Sequence, residues 1–85
     1  MSVEDLKAKG NAAYSTGQYS AAIEAYTEAI RVDPTIPALF SNRAMANLYQ
    51  GDVEKCFEDA QKSITLDVNW WRGHQRLLYG DLAGH

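Results

Sequence analysis

Sulfur chemistry is nearly absent from this sequence: Cys56 is its one cysteine, so no internal disulfide can form. Metal ligands are as sparse, because His74 and His85 have no cysteine or carboxylate partners at ligand spacing. There is no nucleophile–base pair, glycine-rich phosphate loop or paired-carboxylate motif, so the residues propose no enzyme, no cofactor and no metal. No apolar run approaches the length of a membrane span, and the N-terminus carries Glu4, Asp5, Lys7 and Lys9 where a leader would have its apolar stretch. The expectation is a cytoplasmic protein without a membrane partner. Positive charge is also short: eight Lys and Arg face eleven Asp and Glu, for a net charge of −3. Such a balance argues against nucleic acid as a partner, although it leaves room for a local basic patch.

What is present is regular. Hydrophobic residues make up 46% of the 85 and charged residues 22%, with no biased tract, which predicts one small domain over residues 1–85, ordered nearly throughout. The stretch Gly17 to Pro34, moved forward by 34 positions (51 − 17), falls on Gly51 to Val68. Gly17 then meets Gly51, Glu24 meets Glu58, Ile30 meets Ile64 and Asp33 meets Asp67. Ala22 pairs with Cys56, Ile23 with Phe57 and Val32 with Leu66, so side-chain size is preserved where identity is not. Cys56 therefore reads as a small packed side chain.

Apolar spacing places a helix on each half of this unit. The first runs from Val3 to about Thr16, with Leu6, Gly10, Ala13 and Tyr14 on one face, Ser2 and Asp5 as a capping pair, and Gly17 as its stop. The second covers about Tyr19 to Val32 and is ended by Asp33-Pro34. Pro37 opens a third, to about Gln50, with Phe40, Ala44, Asn47 and Leu48 on the packing side. A fourth, Val53 to Leu66, carries Cys56, Phe57, Ala60 and Ile64, and Asp67-Val68-Asn69 is the expected connector. A fifth begins at Trp70 or Trp71 and carries Leu77, Leu78 and Tyr79. Repeat one thus spans about 3–36, repeat two about 37–70, and a partial third 71–85.

Helix-turn-helix units at a 34-residue period, with Gly or Ala at the eighth position, Ala-x-x-x-aromatic in the second helix and Pro at the end, resemble the tetratricopeptide repeat. Gly10, Ala22-x-x-x-Tyr26, Ala29 and Pro34 carry the likeness in the first copy. Ala44, Gly51 and Cys56-x-x-x-Ala60 carry it more loosely in the second, where Val68 replaces the proline. The resemblance implies an all-α fold, a right-handed superhelix of two full repeats plus the first helix of a third. In such arrays Tyr14, Tyr26, Phe40 and Phe57 would fill the space between units, and the first, third and fifth helices would line a concave surface.

On those helices Lys7, Asn11, Asn42, Arg72 and Arg76 share similar depth, each flanking pair four residues apart. Lys7-x-x-x-Asn11, Ser41-Asn42-Arg43 and Arg72/Arg76 are similar to the carboxylate clamp of tetratricopeptide co-chaperones, most of all the N-terminal module of the stress-inducible organising type. That likeness implies binding of the C-terminal Glu-Glu-Val-Asp tail of the seventy- or ninety-kilodalton cytosolic heat-shock proteins. Met45, Leu48 and Tyr49 lie on the groove side of the third helix, as an apolar pocket for the peptide or a narrowing of its channel. The plainer reading of Arg43 is a structural partner for an acidic neighbour, and Lys9, Arg31, Lys55 and Lys62 read as solvated charges. Trp70 reads as packing of the fifth helix on the fourth, and Trp71 as partly exposed. The rival reading is a scaffold binding an unrelated segment through its apolar groove, or associating weakly with itself through the unfinished third repeat.

Overall fold

The computed structural model describes the backbone of residues 1–83 and the side chains of residues 1–69. Four helices follow one another: α1 (Val3–Ser15), α2 (Tyr19–Val32), α3 (Pro37–Tyr49) and α4 (Val53–Ala83). Local chemistry sets most of their ends. Ser2 and Asp5 form a reciprocal capping box, Asp5 N donating to Ser2 Oγ at 3.1 Å and Ser2 N to Asp5 Oδ2 at 3.4 Å. Gly17 and Gly51, with φ of 79° and 88°, turn the chain left-handed after α1 and α3, as the repeat requires. Asp33 ends α2 in an extended conformation, and its carboxylate accepts from Thr35 Oγ1 and Thr35 N at 2.6 and 3.0 Å. Those two bonds, the hydroxyl foremost, hold Asp33 below the usual carboxylate range. Pro37 stands in the first turn of α3, and Asp52 caps α4 by accepting from Lys55 N at 3.1 Å.

The short connections fold successive helices back on one another: α1 packs on α2, α2 on α3 and α3 on α4, with α1 also touching α3. Leu6, Ala22, Tyr26, Ala29, Leu39 and Ala46 form the buried cluster, with Val3, Ala13, Tyr14, Tyr19, Ile23, Ile30 and Ile36 packed around it. The α1–α2 contact is close because Gly10 has no side chain; a Cβ there would lie 2.5 Å from Tyr26 Cε1. Leu6 and Gly10, marked by spacing on α1, and Ala22, Tyr26 and Ala29, the repeat-pattern residues of α2, are buried, whereas Leu39 and Ala46 on α3 enter only when the helices are stacked.

The fourth helix departs from expectation. It continues for 31 residues, and the predicted connector Asp67-Val68-Asn69 is helical, so residues 71–83 extend α4 where a separate fifth helix was expected. The physical reason lies in the second copy of the repeat. Pro34, whose ring and missing N–H forbid continuation, is replaced there by Val68, which keeps its donor and fits a helix. At 1.5 Å per residue the rod is about 46 Å long, against a longest molecular extent of 49 Å. Its apolar stripe is also different from the expected one. Phe57 and Ile64 are each 62% exposed, because among the described residues nothing covers the face opposite α3, while Asp59 and Ser63 are buried against it. Leu48, expected on the packing side of α3, is exposed as well. The side chains of Trp70, Trp71, His74, Leu77, Leu78, Tyr79 and His85 lie outside the described residues.

Candidate functional site

The first and third helices bring two amides face to face. Asn11 and Asn42, 31 residues apart, meet where Asn42 Nδ2 donates to Asn11 Oδ1 at 3.3 Å. The same oxygen accepts from the Tyr26 hydroxyl at 2.5 Å. Around this point Asn11, Tyr14, Tyr26, Asn42 and Met45 line a groove of about 250 Å³. Burial pushes the Tyr26 hydroxyl up from its ordinary value, Tyr14 adds to that, and the Asn42 amide pulls weakly the other way. Tyr26 therefore keeps its proton and acts as a donor. Sequence reading took Tyr26 as an apolar filler; the signal that it does more is the hydroxyl itself, since a buried tyrosine needs a partner for its O–H.

Lys7 lies one turn before Asn11, about 6 Å along the same helical face. Its side chain is half-buried, and among the described residues no carboxylate lies within ion-pair distance of its ammonium. Asn11 and Asn42 are thus brought together in one groove, and Lys7, one turn away on α1, is not among the residues that line it. The side chains of Arg72 and Arg76 fall outside the described residues.

Of the three residues expected to line an apolar part of the groove, Met45 does so directly. Tyr49 instead joins an aromatic cluster at the end of the groove, stacked on Tyr19 at 5.2 Å and edge-on to Tyr14 at 6.0 Å. Tyr14 and Tyr19 are themselves edge-on at 5.5 Å, so residues of α1, α2 and α3 share one wall. Desolvation pushes the Tyr14 hydroxyl up, and the neighbouring Tyr49 and Tyr19 add to it. Leu48 is exposed and outside the residues that line the groove.

Arg43, adjacent to Asn42, is turned away from this surface. Its Nε and Nη2 donate to the two oxygens of Asp59 at 2.8 and 2.7 Å, and its Nη1 donates to Thr27 Oγ1 at 3.1 Å. Asn47 Nδ2 adds a bond to Asp59 Oδ2 at 3.1 Å, and the guanidinium lies 5.6 Å from the Phe40 ring centroid. This fork ties α2, α3 and α4 together and fixes the rotation of α3 that points Asn42 inward. The structural reading of Arg43 is the one the contacts show. The charges expected to be solvated are so: Arg31 reaches only Glu28, at 2.5 Å, and Lys55 only approaches Asp52, at 3.9 Å.

Among the described residues no helix is long and apolar enough to cross a membrane. Comparison with known proteins agrees with the geometry. Residues 10–51 match the family model described as TPR repeat. The chain is 39% identical, over 94% of its length, to small glutamine-rich tetratricopeptide repeat-containing protein 2 of Saccharomyces cerevisiae, of which it covers 23%. It is 39% identical over 82% of its length to the Hsp70-Hsp90 organizing protein 2 of Arabidopsis thaliana, covering 12% of that protein. Against the E3 ubiquitin-protein ligase CHIP of the same plant the identity is 40% over 87% of this chain and 27% of the ligase. The chain therefore spans about a quarter or less of the length of these curated relatives. The stacked antiparallel helices, the 34-residue register and the match at residues 10–51 place this chain in the tetratricopeptide repeat family.

Proposed function

We propose that this chain is a protein-interaction module of the co-chaperone kind, whose concave groove takes the C-terminal carboxylate of an extended peptide. The peptide is of the Glu-Glu-Val-Asp type carried by the seventy- and ninety-kilodalton heat-shock proteins of the cytosol, which is where we place the module. The observation that supports this reading best is the meeting of Asn11 and Asn42 across α1 and α3, with Lys7 one turn away and without a carboxylate partner among the described residues. Binding, not turnover, is the work of such a site.

A terminal aspartate offers two carboxylates, one on the main chain and one on the side chain. Lys7 supplies charge, Asn11 supplies N–H donors, and Asn42 supplies a donor and an acceptor for the peptide backbone. Arg72 and Arg76, which the resemblance adds to the clamp, lie on the helical continuation of α4, so the proposal is carried by Lys7, Asn11 and Asn42. Each well-formed bond to a charged group contributes roughly 1.5–3 kcal/mol, and ordering an extended tail offsets part of the sum. Micromolar affinity that weakens with salt is the consequence.

Titration of a labelled Glu-Glu-Val-Asp peptide as free acid and as C-terminal amide tests the proposal. Amidation should weaken binding by about tenfold or more, and Asn11→Ala should do the same to the acid, since truncating one side of a desolvated charged bond costs about 2–5 kcal/mol. Equal affinity for acid and amide would leave the rival scaffold reading. That rival has an observation of its own in the exposed Val53, Phe57 and Ile64 of α4, an apolar face that an unrelated segment or a second copy would cover.

A further inference from the structure

We propose that Tyr26 is a positioning residue of the groove: its hydroxyl, with Asn42, occupies the carbonyl oxygen of Asn11 and so turns the Asn11 NH2 group toward the ligand. The inference rests on the carboxylate reading above and sharpens it to a preference for acids over amides. An asparagine on a helix surface presents either its oxygen or its nitrogen to a ligand, because χ2 is broad and nearly two-fold. An anion attracts one of these orientations and repels the other. At Asn11 both lone pairs of the oxygen are used, by Tyr26 at 2.5 Å and Asn42 at 3.3 Å. The amide is planar, so anchoring its oxygen sets the direction of its nitrogen.

The anchor is itself immobile. The Tyr26 side chain is 1% exposed within the central cluster, and the slot for its ring exists because residue 10 is glycine. Gly10 and Asn11 are therefore adjacent in sequence for one reason: the first admits the ring whose hydroxyl holds the second. Tyr26 touches no ligand in this scheme. It removes a rotamer choice before binding, which a flexible Asn11 would otherwise have to make against the ligand.

Nuclear magnetic resonance of the unmodified chain and of Tyr26→Phe, which keeps the ring and loses only the oxygen, decides the matter. In the unmodified chain the Tyr26 hydroxyl proton should exchange slowly enough to be seen. The Asn11 side-chain amide should show restricted motion by 15N relaxation, and that restriction should fall in Tyr26→Phe. An unchanged Asn11 amide, or a freely exchanging hydroxyl, overturns the proposal whatever the ligand proves to be. Peptide binding adds a second arm. Tyr26→Phe should weaken the acid peptide by about threefold to tenfold, leave the amidated peptide unchanged, and have no further effect in Asn11→Ala. Equal loss for acid and amide, or an undiminished loss in Asn11→Ala, overturns the positioning role. If the unmodified chain binds neither peptide, the carboxylate reading fails alone, and the Asn11 relaxation result still decides whether Tyr26 holds that amide.

Discussion

Gly10 sets how near α2 comes to α1. A methyl group at that position would meet the Cε1, Cδ1 and Cζ atoms of Tyr26 at 2.5–2.9 Å, and the ring it meets is buried and hydrogen-bonded. Helix propensity favours alanine over glycine by nearly 1 kcal/mol, but overpacking a well-filled core costs about 1–3 kcal/mol. We expect the second effect to win: Gly10→Ala should lower stability to urea by up to about 2 kcal/mol net and loosen the Asn11 amide with it. A variant as stable as the parent, with Asn11 still held, would mean that the two helices part without loss. At this scale the sequence was legible for residue type and opaque for bonding. The register alone puts Asn11 and Asn42 on neighbouring helices, whereas the hydroxyl of Tyr26 enters only once α2 lies beneath α1.

At the scale of the element, α1, α2 and α3 were readable because each is punctuated by residues whose backbone chemistry is local: Ser2, Gly17, Pro34, Pro37 and Gly51. The far end of α4 was not, because the repeat register predicts a turn where the chain itself has Val68, a residue with no power to stop a helix. Val68→Pro should restore the stop. The 13Cα shifts of residues 53–65 should stay helical and those of 67–69 should lose that character, since proline disfavours helix in the residue before it. Shifts that remain helical through 69 would place the cause of the long helix elsewhere. The burial of Asp59 escaped a reading based on apolar spacing for a different reason: its partners, Arg43 and Asn47, are on α3. Asp59→Ala leaves Arg43, with a side chain only 22% exposed, facing an empty site, and removal of one member of such a pair costs about 3–5 kcal/mol. Because Arg43 retains Thr27 and some solvent, we expect a loss toward the lower end, near 3 kcal/mol, by urea denaturation.

For the whole molecule, corresponding apolar positions of the two repeats are buried unequally among the described residues. Val53, Phe57, Ile64 and Val68 follow one another along α4 and all are exposed, while the counterparts of the first three in the first repeat, Tyr19, Ile23 and Ile30, are packed around the core. An apolar stripe of that length favours contact with another surface. Light scattering over a concentration range should therefore show a rising average mass for the chain alone, and Phe57→Ser should bring it down without disturbing the buried cluster. A constant monomer mass up to high concentration would remove self-association from the alternatives.

Arg43 and Asp59 neutralise each other inside the protein, whereas Lys7 is half-buried and has no carboxylate within ion-pair distance among the described residues. Mobile ions screen the second far better than the first. Sodium chloride is consequently a dial on recognition alone: between about 0.05 and 0.5 M, peptide affinity should fall several-fold while the melting temperature stays within a few degrees. On the proposed reading, an experimenter can thus release a bound peptide with salt and leave the architecture of the chain in place for the next one.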